Sequence, residues 1–148
     1  MVNVRRGLCA IVALMLGLVL AACDTAAEDP GFAGHWSSPQ WGEHYIIVDG
    51  STMKIIYDHD DGRAVGVLEG NTFKGWWTEV PSRQPSRDAG DVIFTLRRSG
   101  ETRNVDGEWR YGTEGALRQN WDLTWVGAEI PADVRAKFDA AATFVPHP

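Results

Sequence analysis

The sequence predicts an all-β fold, an antiparallel meander of about eight strands that closes into an up-and-down β-barrel and ends in a short C-terminal helix. Three observations lead to this prediction. Turn-forming residues recur about every eight to twelve residues after Gly34. The runs between them are short and rich in β-branched and aromatic residues. Within several runs apolar and polar residues alternate, which is typical of strands with one buried face. A sandwich of two sheets is the alternative architecture.

The predicted strands lie between turns that supply Gly, Asn, Asp or Ser, residues that accept a positive φ. Their approximate ranges are 34–37, 43–49, 52–57, 63–69, 72–79, 91–98, 103–110 and 118–126. Alternation assigns to the apolar face Met53, Ile55, Tyr57, Phe73, Trp77, Val92, Phe94, Leu96, Val105, Trp109, Trp121, Leu123 and Trp125. The glycines inside strands, Gly66, Gly75 and Gly107, indicate sharp coiling of a closed sheet, with a neighbouring tryptophan packed across the missing side chain.

The sequence period changes in the segment 131–142. Pro131 stands at a suitable first helical position, and Val134 and Phe138 are four residues apart. One short helix that closes or flanks the sheet is expected here. The segment 81–88, which contains two prolines and two arginines, is predicted to be a loop at a mouth of the barrel.

The N-terminal residues 1–22 have the layout of a signal peptide. Arg5 and Arg6 precede an apolar run of 16 residues, which is shorter than the roughly 20 that a spanning helix needs. The run ends in Leu20-Ala-Ala-Cys23, which resembles the lipobox of bacterial lipoproteins. The resemblance implies cleavage before Cys23 and attachment of acyl chains, such as palmitate, to Cys23. Two such chains anchor a protein stably to a membrane.

The resemblance to lipoproteins also implies a place in the cell. A protein anchored through Cys23 lies on the extracytoplasmic, periplasmic side of a bacterial membrane, and Asp24 at the next position is associated with retention in the inner membrane. The segment 23–31 is small, acidic and without periodicity, so we predict a flexible tether. Residues 32–148 are predicted to form a single β-barrel domain.

The mature chain is acidic. Loss of Arg5 and Arg6 reduces the 14 basic residues to 12, and the 20 acidic residues all remain, which gives a formal net charge of −8. A negative surface is repelled by phosphate backbones, so no nucleic-acid partner is expected. Cys9 leaves with the signal peptide and Cys23 carries the lipid, so we expect no disulfide and no cofactor, and a monomer that depends on its core.

Catalytic and metal-binding motifs are absent from the sequence, and we predict no enzyme and no metal site. His35 and the pair Glu43-His44 offer an acid and a base, but solvent-facing strand residues are the simpler interpretation. The turn 58–62, followed by Glu69, superficially resembles a calcium loop. Its glycine stands at the fifth place, whereas a calcium loop needs it at the sixth, so we predict a hairpin turn.

The tryptophans are the remaining functional candidates, and all seven lie in the mature part of the chain. Tryptophan gives a large contact area at low entropic cost and suits a cavity or a sugar-stacking face. The candidate ligand-binding residues are Trp36, Trp77, Trp109, Trp121 and Trp125. The alternative, which we favour, is that they fill a barrel whose interior side chains alone can occupy.

Several short motifs between Gly34 and about Val126 are similar to those of a widespread family of secreted bacterial and archaeal Gly/Trp-rich β domains. They include Gly34-His-Trp36, the segment from Glu69 to Trp77 and Gly107-Glu-Trp109. Gly34-His-Trp36 is also similar to the Gly-x-Trp that opens lipocalin and avidin barrels. These resemblances imply a β-barrel and identify no ligand.

We therefore expect a membrane-anchored envelope lipoprotein that acts as a non-catalytic binding module for a small apolar or carbohydrate ligand. The alternative is an envelope assembly or scaffold protein that contacts a protein partner.

Overall fold

A computed structural model describes residues 29–148, and in this part of the chain the strands form one closed antiparallel β-barrel. The strands are β1 (Gly34–Ser38), β2 (Gly42–Asp49), β3 (Thr52–Tyr57), β4 (Gly62–Glu69), β5 (Thr72–Thr78), β6 (Ala89–Ser99), β7 (Thr102–Trp109), β8 (Arg118–Gln119) and β9 (Leu123–Gly127). They are ordered β6-β5-β4-β3-β2-β1-β9-β7-β8, and pairing of β6 with β7 closes the ring. Eight strands form the wall, and β8 is a short extra strand on β7. The predicted barrel is confirmed.

The first seven predicted strands are confirmed, and each observed strand end lies within two residues of the predicted end. The eighth, predicted over 118–126, is instead two strands, β8 and β9. They are separated where Trp121 N donates to Gly107 O at 3.4 Å and Gly107 N donates to Asp122 Oδ1 at 3.2 Å. Because the Asp122 side chain, and not a main-chain carbonyl, accepts the bond from Gly107 N, the hydrogen-bond ladder between β7 and this strand is interrupted.

Apolar side chains from all parts of the wall fill the barrel interior. Nearly every residue that alternation assigned to the apolar face is buried in one cluster, and Trp125 packs partly buried against it. At Gly107 an added Cβ would lie 1.9 Å from the main-chain O of Trp121. The glycines within the strands allow neighbouring atoms to approach closely. The prediction that these atoms belong to a tryptophan ring was wrong. At Gly75 the neighbour is the Phe73 ring, and at Gly66 and Gly107 it is first of all main chain.

One end of the barrel is closed by residues 29–33, which precede β1. The Asp29 carboxylate accepts hydrogen bonds from the main-chain N of Gly31, Phe32 and Ala33 and so folds this segment into a turn. Phe32 is fully buried, and its carbonyl accepts a hydrogen bond from Trp36 Nε1 at 2.7 Å. We call this the N-terminal end of the barrel. Residues 29–31, assigned to the tether in the sequence, thus already contact the barrel.

The C-terminal segment covers part of the outer wall. Helix α1 spans Ala132–Lys137, and a 3₁₀ helix follows at Ala141–Thr143. A second apolar cluster joins the helix to the wall: Ile56, Ile130, Val134, Phe138 and Phe144. The helix is shorter than the predicted 131–142. After Lys137 the main-chain bonds tighten to i→i−3, which turns the chain back so that Phe144 stacks on Phe138 at 5.8 Å.

No helix within residues 29–148 has the length and apolar character needed to cross a membrane. The predicted signal peptide 1–22, Cys23, Asp24 and most of the tether lie outside the described residues.

Candidate functional site

Four loops meet at the end of the barrel opposite the N-terminal end. They are the segments 39–41, 58–61, 79–88 and 110–117, which follow β1, β3, β5 and β7. Alternate loops of an antiparallel meander share one end, so the topology alone brings them together. We call this the aromatic end. The predicted position of the loop 81–88 at a barrel mouth is confirmed.

Trp121 is the centre of the aromatic packing beneath these loops. Its ring centroid lies 4.9 Å from that of Trp41, 5.0 Å from Tyr57 and 5.6 Å from Phe94. Trp77 and Trp109 are 5.7 Å apart, and each is 6.3 Å from Trp121. Many of these contacts are edge-to-face, the arrangement that the ring quadrupole favours.

The five tryptophans predicted to bind a ligand fall into two groups. Trp77, Trp109 and Trp121 converge at the aromatic end and are at most 4% exposed. Trp36 and Trp125 form a separate edge-to-face pair at 4.9 Å, in which Trp36 is fully buried and Trp125 is half-buried. The structure therefore brings three of the five together and places the other two elsewhere.

The indole N–H groups of Trp77, Trp109 and Trp121 are hydrogen-bonded inside the protein. Trp77 Nε1 donates to Arg110 O at 3.0 Å, Trp109 Nε1 donates to Asn120 Oδ1 at 2.7 Å, and Trp121 Nε1 donates to His44 Nε2 at 2.9 Å. These bonds fix the ring orientations and leave the rings as a rigid base for whatever lies above them.

Three side chains at the surface of the aromatic end, Trp41, Tyr111 and Arg118, form what we call the platform. Tyr111 is 38% exposed and lies 5.1 Å from the Trp109 ring. The Arg118 guanidinium lies over the rings of both Trp109 and Tyr111, at 4.9 and 5.0 Å. Trp41 is half-buried, contacts Trp109 at 5.4 Å, and donates to Asn120 O at 3.1 Å.

His44 lies in the barrel interior and is fully buried. Trp121 can only donate, so His44 Nε2 must accept its bond, and Nδ1 carries the proton that binds Gly42 O at 2.9 Å. Burial lowers the pKa of His44 to about 3. The imidazole is therefore neutral at physiological pH and serves as a hydrogen-bonded core residue.

A titratable cluster stands beside the platform. A ring nitrogen of His59 and carboxylate oxygens of Asp60 and Glu79 lie within 4.8 Å of one another. Glu79 is nearly buried, and its Oε1 accepts a hydrogen bond from the Tyr57 hydroxyl at 2.8 Å. Burial raises the pKa of the Glu79 carboxyl above its ordinary value. Glu69, the acid considered with this turn in the sequence, lies at the other end of β4 and pairs with Lys74 at 3.0 Å.

Two arginines hold the same loops in place. The Arg63 and Arg83 guanidinium groups each lie 2.8 Å from the Asp61 carboxylate. Arg83 also donates to the Asp61 main-chain O at 2.9 Å. These bonds tie the turn 58–61 to the loop 79–88.

His35 and Glu43 meet on the outer wall, where His35 Nε2 is bonded to Glu43 Oε2. Ser37 Oγ donates to the other oxygen of the same carboxylate at 3.1 Å, so the serine faces the acid and not a histidine base. A nucleophile needs a base within hydrogen-bond reach. The arrangement is a hydrogen-bond cluster on the strands, and His44, which follows Glu43 in the sequence, points inward.

An apolar groove of about 650 Å³ lies on the outer wall between β4–β6 and the C-terminal tail. Its lining includes Val65, Val67, Ile93 and Pro146. His147 fastens the tail at its edge, with Nε2 2.9 Å from Asp91 Oδ1. The groove is on the wall, away from the aromatic end.

The fold and the site define the molecule as a closed eight-stranded β-barrel that carries an aromatic platform and a His-Asp-Glu cluster at one end. No family model, no curated protein and no solved structure matches the chain. The resemblances drawn from the sequence motifs stay predictions.

The platform residues Trp41, Tyr111 and Arg118 were not among the candidates from the sequence, because Trp41 and Tyr111 lie in loops, which have no periodicity, and Arg118 is a polar residue at the start of a short strand. A signal was nevertheless available. Once a meander is predicted, the loops after odd-numbered strands must share one end, and their aromatic and charged residues must cluster there.

Proposed function

We propose that this protein is a lipid-anchored binding module of the bacterial envelope, which holds a carbohydrate ligand on the platform at the aromatic end. The observation that carries the proposal is the platform itself: exposed aromatic and guanidinium groups resting on a base of buried tryptophans.

Burial of the interior side chains favours a surface ligand over an enclosed one. Trp77, Trp109 and Trp121 are at most 4% exposed, and their indole N–H groups are bonded within the protein. A ligand inside the barrel would have to displace these rings. Of the two ligand classes expected from the sequence, a carbohydrate on an exposed aromatic face agrees better with this packing than an apolar molecule in a cavity.

The chemistry of the platform suits a sugar ring. The apolar C–H face of a pyranose stacks on Tyr111 and Trp41, whose rings are held by Trp109. The Arg118 guanidinium lies next to Tyr111, and its planar set of donors suits hydroxyl or carbonyl oxygens at the edge of the sugar ring. The net charge of −8 calculated for the mature chain favours a neutral glycan over an anionic one.

The anchor is the other half of the proposal. The motif Leu20-Ala-Ala-Cys23 supports lipidation of Cys23 on the periplasmic side of the membrane, and Asp24 supports the inner membrane. A glycan of the cell envelope is then within reach of the anchored protein.

Titration of the full chain in detergent with chitotetraose, a neutral oligomer of N-acetylglucosamine, tests the proposal. We expect saturable binding, seen as a change in tryptophan fluorescence, and a loss of about tenfold or more in affinity for Tyr111→Ala and Arg118→Ala.

Arg103→Ala is the matched control. Arg103 stacks on Trp125 at 4.5 Å, in the same kind of contact but outside the platform, so this variant should bind as the parent does. If Tyr111→Ala and Arg118→Ala bind the oligomer as tightly as the parent, or the parent does not bind it, the glycan proposal fails and an assembly role becomes the better hypothesis.

A further inference from the structure

We propose that His59, Asp60 and Glu79 form a binding site for a divalent transition metal of the zinc class at the rim of the aromatic end. The inference does not rest on the proposed carbohydrate function, and its test is independent of any sugar.

The three side chains come from two loops and converge on one point. Their ligand atoms lie within 4.8 Å of one another. His59 Nε2 and Asp60 Oδ2 are 3.5 Å apart, close to the roughly 3.4 Å that separates two ligands on one tetrahedral zinc ion. His59 and Asp60 are 42% and 59% exposed, so rotation of their side chains can close the remaining distance to Glu79.

The charges around Glu79 favour a bound cation. Its carboxylate is nearly buried, and the Tyr57 hydroxyl, a neutral donor, bonds to one of its oxygens. Arg63 of β4 and Arg83 of the loop 79–88 are bonded to Asp61 instead. Asp60 and Asp88 both add negative potential at Glu79. A dication would neutralise the two carboxylates of the cluster and offset the cost of burying one of them.

The main chain of the turn 58–61 is held in place by its surroundings. Asp60 has φ 45° and ψ 41°, a left-handed conformation that costs an aspartate about 1 kcal/mol. It is held there because Val80 N donates to Asp60 O at 3.0 Å. On the other side, the Trp41 ring packs edge-on against His59 at 4.9 Å. Strain that the surroundings maintain is a feature of binding sites.

The donor set selects the class of metal. One imidazole nitrogen and two carboxylates suit zinc, cobalt, nickel or manganese. Calcium takes six to eight oxygen ligands, which this cluster does not supply. The hydrogen bond from the Tyr57 hydroxyl orients the Glu79 carboxylate, and hydrogen bonds commonly orient metal-bound carboxylates in this way.

Calorimetric titration of the full chain in detergent with Zn²⁺ tests the site, and Co²⁺ absorption provides a second readout of the ligand set. We expect one ion bound per chain, with affinity reduced about tenfold or more by His59→Ala and by Glu79→Gln. Glu79→Gln keeps an acceptor for Tyr57, and His59 is an exposed turn residue, so both variants should fold. Near-ultraviolet circular dichroism of the tryptophans checks that they do. Tyr57→Phe should weaken binding by about tenfold without abolishing it.

Three controls locate the ion. Glu69→Gln removes an exposed acid at the other end of the barrel and should not change Zn²⁺ affinity. His35→Ala and His147→Ala remove the other histidines that contact carboxylates within residues 29–148 and should also leave it unchanged. Absence of saturable binding in the parent, equal binding in His59→Ala and Glu79→Gln, or loss of binding in His35→Ala or His147→Ala would overturn the proposal.

Discussion

Trp121 Nε1 donates a hydrogen bond of 2.9 Å to His44 Nε2 beneath the loops of the aromatic end, and both side chains are at most 1% exposed. The bond requires a neutral imidazole, because a protonated Nε2 has no lone pair to accept it. The link between the aromatic core and a titratable group makes the stability of the barrel sensitive to acid.

The first prediction concerns this sensitivity. The pKa of His44 is about 3 in the folded protein, below the ordinary value of 6.5. The unfolded chain therefore binds the proton more tightly, so the contribution to stability is complete above pH 6.5 and is lost as the pH falls from there toward 3. Its full size is about 5 kcal/mol.

Urea unfolding at a series of pH values measures this loss. In His44→Gln, which keeps an acceptor for Trp121 without titrating, the decline between pH 6.5 and 3 should be distinctly shallower. His147→Gln, at an exposed histidine, should follow the parent curve. Identical slopes for His44→Gln and the parent would show that His44 is not the group responsible.

The second prediction compares two tryptophans in contact with each other. Trp121→Ala should destabilise the protein by about 3 to 5 kcal/mol, because the cavity lies in the centre of the aromatic packing and cannot collapse easily. Trp41→Ala should cost less, since Trp41 is half-buried and water can fill the space. Thermal melts of both variants decide it. Iodide should quench the tryptophan fluorescence of the parent only weakly. Strong quenching of the parent, together with equal melting temperatures for the parent and Trp121→Ala, would contradict a filled interior.

The third prediction concerns the glycine opposite Trp121. Gly107→Ala places a Cβ 1.9 Å from the Trp121 carbonyl oxygen, which is main chain and cannot swing aside. We expect a loss of about 3 kcal/mol or more in unfolding free energy. Gly127→Ala is the matched control, because no atom lies within 4 Å of its added Cβ, and it should be nearly neutral. A stable Gly107→Ala protein would require a wider spacing between β7 and the segment after β8.

The fourth prediction addresses the helix on the outer wall. Phe138 packs against Ile56 of the wall in the second cluster and stacks on Phe144. Phe138→Asp should release the helix and expose this apolar surface, while the core tryptophans keep their environment. We expect increased binding of a hydrophobic dye with an unchanged near-ultraviolet circular dichroism spectrum. Loss of that spectrum would mean that the barrel itself depends on the helix.

The fifth prediction concerns the anchor. Cys23→Ala should abolish incorporation of a labelled fatty acid in growing cells, because Cys23 is the lipid acceptor in the proposed lipobox. Cys9→Ala, which changes the other cysteine, should incorporate label normally. Label on the Cys23→Ala protein would exclude the lipoprotein assignment.

Much of the barrel could be predicted from the sequence because its strands obey a period of two. The even spacing of Phe73 and Trp77, and of Val105 and Trp109, predicts that each pair lies on one face of its strand, and their burial confirms it. The break between β8 and β9 around Trp121 could not be predicted, since it depends on a hydrogen bond from Gly107 N to the Asp122 side chain across the sheet. The cluster of His59 and Glu79 was hidden for a similar reason: the residues are 20 positions apart and meet only after the barrel closes.

Residues 29–33 lie at the N-terminal end of the barrel, so the preceding chain joins the barrel at that end. The six residues from Asp24 to Asp29 can span at most about 22 Å, even when fully extended. With the proposed lipid on Cys23, the N-terminal end would lie within this distance of the lipid headgroups, and the aromatic end, with Tyr111 and Arg118, would face away from the bilayer.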